Sequence, residues 1–207
     1  MSRKALIIVD VQNDFCPGGA LAVAEGDQIV PVINRIAPGF DVVVATRDWH
    51  PTDHVSFAST HEGREIGDQV EIDGLEQVLW PDHCVQGTKG ADFHPDLDTR
   101  PINLILHKGT SSRLDSYSGF LETDHKTATG LAAYLKDLDV SEVTVCGLAT
   151  DYCVFFTAMD ALDTGFHTRL VTDASRGIDK PEGNLEKATE EMRAAGVRFL
   201  TSAELIG

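Results

Sequence analysis

Six short apolar runs rich in β-branched residues, at 5–9, 41–46, 102–107, 142–147, 167–172 and 197–201, alternate along this chain with segments of helical period. The helical segments are 27–37 (Ile29, Ile33, Ile36), 127–138 (Leu131, Leu135, Leu138), 152–164 (Val154, Ala158, Ala161) and 182–195 (Leu185, Ala188, Met192, Ala195), with apolar residues three or four apart. Parallel strands need long crossover connections, so this alternation predicts a parallel sheet covered on both faces by helices. The expected fold class is α/β, a three-layer sandwich around a mainly parallel, doubly wound central sheet. A length of 207 residues suits a single domain over 1–207. The stretch from about 47 to 101 carries no sustained period and is too long for an ordinary connection. Trp49, Phe57, Trp80 and Phe93 give it enough apolar surface to pack, so it reads as a functional insertion.

With 33 acidic against 17 basic residues, the net charge of −16 repels phosphate backbones and anionic lipid headgroups. Nucleic-acid and membrane partners are therefore not expected, and a small molecule is; a homo-oligomer stays open. No stretch approaches the roughly 20 apolar residues that span a bilayer, and the run 5–9 is broken by Asp10 with no cleavage pattern after it, so a cytoplasmic protein is expected. Cys16, Cys84, Cys146 and Cys153 show no paired spacing, which predicts free thiols.

Asp10, Lys108 and Cys153 each stand at or just past the end of a run that reads as a buried strand, 5–9, 102–106 and 143–145. In a doubly wound sheet the carboxyl ends of the strands line the ligand crevice, so an acid, a cation and a thiol are expected to meet there. The segment Gly147 to Cys153 leaves a strand and enters a helix, with Thr150 or Asp151 as the natural N-cap. The thiol then lies in the first helical turn, where free backbone N–H groups favour a thiolate and could hold an oxyanion. Lys108 is expected to lower the thiol pKa while Asp10 takes and returns its proton, which makes a thiol hydrolase the leading idea. The plainer alternative is an Asp–Lys ion pair beside a packed cysteine.

A second grouping is independent of the first. Asp48 and His50 are two residues apart after a strand and so point to the same side, and His83 could supply a third ligand. A carboxylate with two imidazoles is the ligand set of an open transition-metal site. His54 is either a fourth ligand or a loop histidine. His61, His94, His107, His125 and His167 show no such grouping.

Val9-Asp10-Val11-Gln12-Asn13-Asp14-Phe15-Cys16-Pro17-Gly18-Gly19-Ala20-Leu21, Asp48-Trp49-His50-Pro51, Trp80-Pro81-Asp82-His83-Cys84-Val85, His107-Lys108-Gly109, Asp115-Ser116-Tyr117-Ser118-Gly119-Phe120 and Gly147 to Cys153 resemble, in order and over essentially the whole chain, the motifs of the nicotinamidase branch of the isochorismatase-like hydrolases. The resemblance implies hydrolysis of nicotinamide, and of pyrazinamide as a further substrate, to the acid and ammonia within NAD salvage. Cys153 is then the nucleophile, Asp10 the proton shuttle and Lys108 their electrostatic support, with the N–H groups of Ala149 and Cys153 as oxyanion hole. Asp48, His50 and His83 would hold a divalent ion, zinc, manganese or iron. Phe15, Trp80, Tyr117 and Tyr152 would wall the substrate pocket, and a cis peptide would precede Ala149. Two other readings stand beside it: a related hydrolase that lacks the metal and acts on a non-aromatic amide or ureido compound, and a catalytically silent metal-binding domain.

Overall fold

The structure, a computed structural model, describes residues 3–206; Met1, Ser2 and Gly207 of the expected 1–207 domain lie outside the described residues. In chain order the elements are β1 (Arg3–Val9), α1 (Val30–Ile36), β2 (Val42–Asp48), β3 (Gln69–Ile72), β4 (Leu75–Val78), β5 (Leu104–Lys108), α2 (Leu131–Asp137), β6 (Val140–Leu148), α3 (Cys153–Asp163), β7 (His167–Arg176), α4 (Asn184–Ala195), β8 (Arg198–Leu200) and α5 (Ser202–Ile206). Six strands form one sheet in the order β5-β2-β1-β6-β7-β8, and every pairing in it is parallel. β1 alternates between two buried faces. Leu6 and Ile8 pack with Ile29 and Ile33 on one side, while Ala5, Ile7 and Val9 pack with Leu135, Val154 and Ala158 on the other. Two apolar layers thus sandwich the sheet, as a strand hydrophobic at every position requires.

From β1 the chain builds outward through β2 to β5, then returns to build the other way through β6, β7 and β8. The reversal places a crevice between β1 and β6 at their carboxyl ends. The register sets what faces what: Val9 pairs with Gly147, and Asp48 with Lys108.

Two expectations are corrected here. The run 102–106 is not a fully buried strand, because β5 is the sheet edge and Ile105 is 46% exposed. The insertion also holds regular structure, the antiparallel hairpin β3–β4, turned at Asp73-Gly74. Both residues have positive φ, +51° and +83°, as a two-residue hairpin turn demands.

Candidate active site

Lys108 ends β5, fully buried, and its stem carries the ammonium across the end of β2. Nζ lies 2.9 Å from Asp10 Oδ2, 2.9 Å from Ser116 O and 3.5 Å from Cys153 Sγ, and it donates a short hydrogen bond to Asp48 Oδ1. A carboxylate oxygen each from Asp10 and Asp48 and Cys153 Sγ all lie within 4.8 Å of one another. The structure thus brings together the acid, cation and thiol that the sequence left 143 positions apart from first to last, with Asp48 as a fourth member.

The backbone explains the convergence. Asp10 is the first residue past β1 and takes φ +48°. Its N–H reaches Thr46 Oγ1 at 3.3 Å, and the Thr46 hydroxyl donates to its Oδ1 at 2.7 Å. Oδ2 is buried, ion-paired with Lys108 Nζ and without a well-aligned hydrogen bond. On the opposing strand only glycine fits at 147, where φ is +122° and a Cβ would sit 2.1 Å from Val9 O. That close approach sets the Ala149 to Cys153 turn beside Asp10.

Cys153 is the first residue of α3, but neither Thr150 nor Asp151 caps it. The N-cap residue is Tyr152, with no side-chain cap, because the Asp151 carboxylate is turned toward the segment at 178 and 179. The turn is closed by N–H bonds from Thr150 to Arg176 O, from Tyr152 to Ala149 O and from Val154 to Ala149 O. The N–H groups of Ala149 and Cys153 are not among these. The Leu148–Ala149 peptide is cis.

Lys108 lowers the thiol pKa, as expected, but against a larger opposing effect. Burial pushes the Cys153 thiol well above its ordinary range; Lys108 opposes this, while Asp10 and Asp48 add to it. One cation shared by two carboxylates does not make a resting thiolate in a site this dry. Burial likewise raises Asp10, to about 6, against the pull of Lys108 and with a further push from Asp48. For Asp48 burial acts upward, but Lys108, His50 and His83 together hold it well below the carboxylate range. Lys108 resists its own desolvation because Asp10 and Asp48 hold it charged. The cluster thus sets a thiol raised by burial beside a carboxylate whose pKa lies at about 6.

Asp48, His50 and His83 offer ligand atoms within 4.8 Å of one another, all buried. His50 Nδ1–H donates to Gly109 O at 2.9 Å and His83 Nδ1–H to Pro81 O at 2.8 Å. Both rings therefore turn Nε2 toward Asp48 Oδ2, at 3.6 and 3.8 Å. Carbonyl acceptors behind ligating imidazoles are the outer support such a centre needs, so the residues fit a divalent ion. Gly109 completes the cradle, since a Cβ there would lie 2.4 Å from the His50 ring. His54 is buried and stacks on His50 with ring centroids 4.0 Å apart. Its Nδ1 meets Ser56 Oγ at 2.7 Å, and Nε2, 4.0 Å from Asp115, has no hydrogen bond. Burial and the neighbouring His50 lower its pKa to about 4.

Phe15, Trp80, Tyr117 and Tyr152 line one small pocket together with Asp48, His83, Ala149 and Cys153. Trp80 packs edge-on against Tyr152 at 5.0 Å, and its indole N–H donates to the Tyr117 hydroxyl at 3.0 Å. Sequence reasoning missed Leu21, Val23 and Ile178, which complete the lining. It also missed Gln12, whose amide accepts Asp48 N–H and donates to Asp48 O, both at 2.8 Å. A buried amide so soon after Asp10 was the available signal for Gln12; nothing local marks Ile178.

A family model described as the isochorismatase domain matches residues 4–204. The chain belongs to the isochorismatase family. Among members of that family, the nicotinamidase of Acinetobacter baylyi is 48% identical over 202 residues, covering 98% of this chain and 94% of the relative. The structure of a nicotinamidase/pyrazinamidase of Acinetobacter baumanii superposes with a TM-score of 0.96 at 49% identity, covering 99% of each chain. That of the Pyrococcus horikoshii pyrazinamidase in complex with zinc has a TM-score of 0.78 at 42% identity, covering 96% of this chain and 99% of the other. No helix among the described residues is long and apolar enough to cross a membrane.

Proposed function

We infer that this isochorismatase-family chain is an amidohydrolase that converts nicotinamide to nicotinic acid and ammonia, a step of NAD salvage. The observation that carries the reading is Cys153 Sγ placed 3.5 Å from Lys108 Nζ in a pocket walled by Phe15, Trp80, Tyr117 and Tyr152. A flat heteroaromatic amide gains from such walls, and a carboxamide carbon set against Sγ meets a nucleophile and a base together. The near-identical fold of a nicotinamidase/pyrazinamidase at 49% identity supports the same substrate class, with pyrazinamide as a second ring to test.

In the mechanism, Cys153 Sγ bonds to the carboxamide carbon as its proton passes to Asp10 Oδ2. Lys108 stays charged throughout and offsets the negative charge that moves between the two. The N–H groups of Ala149 and Cys153 receive the oxyanion of the tetrahedral intermediate. Asp10 returns the proton to the departing nitrogen; the C–N bond breaks, ammonia leaves and an acyl thioester remains. Asp10 then takes a proton from water as its oxygen attacks the thioester carbon. The C–S bond breaks, the proton returns to Sγ and nicotinic acid is released.

Asp48, His50 and His83 would hold the divalent ion, and the zinc complex of the Pyrococcus horikoshii relative favours zinc, with manganese and iron suited to the same donors. When bound, such an ion supplies a Lewis-acid contact that orients the pyridine nitrogen. Four free buried cysteines suit a reducing, cytoplasmic setting. Ammonia release from nicotinamide by wild type and Cys153→Ala, with circular dichroism of both, tests the proposal. Turnover should vanish with the fold retained, and turnover surviving in the variant would remove Cys153 from the chemistry.

A further inference from the structure

Asp151 lies beside the nucleophile, yet its carboxylate serves a different element. Oδ1 accepts the N–H of Ile178 and Oδ2 that of Asp179, both at 2.9 Å, and the Asn184 amide donates to Oδ2 at 3.2 Å and to Asp151 O at 3.3 Å. Its neighbours add two ties: Thr150 N–H to Arg176 O at 2.8 Å, and the Tyr152 hydroxyl to Lys180 O. Residues 150–152 therefore hold the segment from 176 to 184 along most of its length. Asp151 is 3% exposed, so these donors are what keep a carboxylate tolerable there. Ile178, held by the first of the bonds, lines the same pocket as Cys153.

We propose that Asp151 is a positioning residue for the substrate ring: it clamps the segment 177–184 so that Ile178 closes the pocket. The proposal rests on the reading of nicotinamide hydrolysis above. Two adjacent N–H groups need two acceptor oxygens. An asparagine at 151 supplies one and sets an NH2 against the other, so one backbone donor is left without a partner. The segment then spends part of its time with Ile178 withdrawn, and apparent affinity falls by the fraction of closed molecules. Bond-making at Cys153 depends on Asp10 and Lys108, which Asp151 does not touch. The signature is therefore a rise in KM that outweighs the fall in kcat.

The test compares Asp151→Asn, Ile178→Ala and the double variant by nicotinamide kinetics and by hydrogen exchange of the amides at 178 and 179. Asp151→Asn should lose about tenfold or more of the protection at these amides, raise KM about tenfold and lower kcat less than about threefold. Ile178→Ala should raise KM similarly with protection retained. Because one residue acts through the other, the double variant should match Asp151→Asn in KM within about twofold. Protection lost with KM unmoved, KM effects that multiply, or a fall in kcat at constant KM would each overturn the proposal. If Asp151→Asn does not accumulate as folded protein, Asn184→Ala, which removes one tie, should show a smaller loss of protection and a smaller rise in KM. A flat KM there would equally overturn it. Wild-type protein that releases no ammonia from nicotinamide refutes the function instead, and the exchange result then judges the clamp alone.

Discussion

Lys108 is one ammonium among three groups that compete for it, and the protonation states of the site follow from that shortage. It holds Asp48 well below the carboxylate range, leaves Asp10 only partly compensated at about 6, and pulls the Cys153 thiol down by less than burial pushes it up. In the proposed mechanism Asp10 must be ionised to accept the thiol proton. As pH falls through about 6 its carboxylate is protonated, so kcat/KM should drop about tenfold per unit on the acid side. The raised thiol adds no ionisation near neutrality, so activity should be level from about pH 7 to 8. A pH profile of kcat/KM checks this, and full activity at pH 5 would remove Asp10 as the base. That Asp10, Lys108 and Cys153 would meet was legible in the sequence, because charged residues at the ends of apolar runs are costly without partners and Cys153 stands where a strand turns into a helix. The thiol's protonation state was not legible, since it depends on burial from all sides and on Asp48, which had been read only as a metal ligand.

At the scale of elements, the strand ends are placed by register and close approach. The sheet gathers Asp10, Asp48, Lys108 and the turn before α3 because β1 pairs with β2 and β6, and β2 with β5. Gly147 lets β6 run against Val9. Gly147→Ala would force a Cβ to 2.1 Å from a backbone carbonyl at a φ of +122°, and should destabilise the protein by roughly 2–4 kcal/mol. Urea unfolding measures this, and a loss under about 0.5 kcal/mol would mean the strand ends are not so tightly held. Periodicity gave α1 to α4 and the six sheet strands to within about four residues, but α5 (Ser202–Ile206) was not read, because one short turn of helix carries no period. The hairpin β3–β4 was overlooked although Asp73-Gly74 is a strong turn signal, because its strands are short and Glu71 and Glu76 interrupt their apolar character. The edge position of β5 was invisible, since an apolar run looks the same in the middle of a sheet and at its margin.

For the whole molecule, metal and net charge are the two global variables. Asp48 ends β2 of a sheet already closed by two apolar layers, with His50 and His83 in the insertion beside it, so metal removal should affect binding more than folding. Chelation is expected to raise KM about tenfold or more while shifting Tm by less than about 5 °C, read by kinetics and thermal melts. Unfolding on chelation would make the ion structural. A net charge of −16 makes the compact state repel itself, so raising NaCl from about 10 to about 150 mM, which shortens the screening length from about 30 to about 8 Å, should raise Tm. A fall in Tm would show that local ion pairs outweigh the self-repulsion. The sequence by itself determined the layered fold, the acid, cation and thiol, and the three candidate metal ligands, because apolar period and isolated polar residues are local properties of a chain. Tertiary structure alone decided that Lys108 is shared between Asp10 and Asp48, that burial raises the Cys153 thiol, and that Asp151 faces the segment carrying Ile178. These depend on distances between residues remote in sequence and on how completely water is excluded around them.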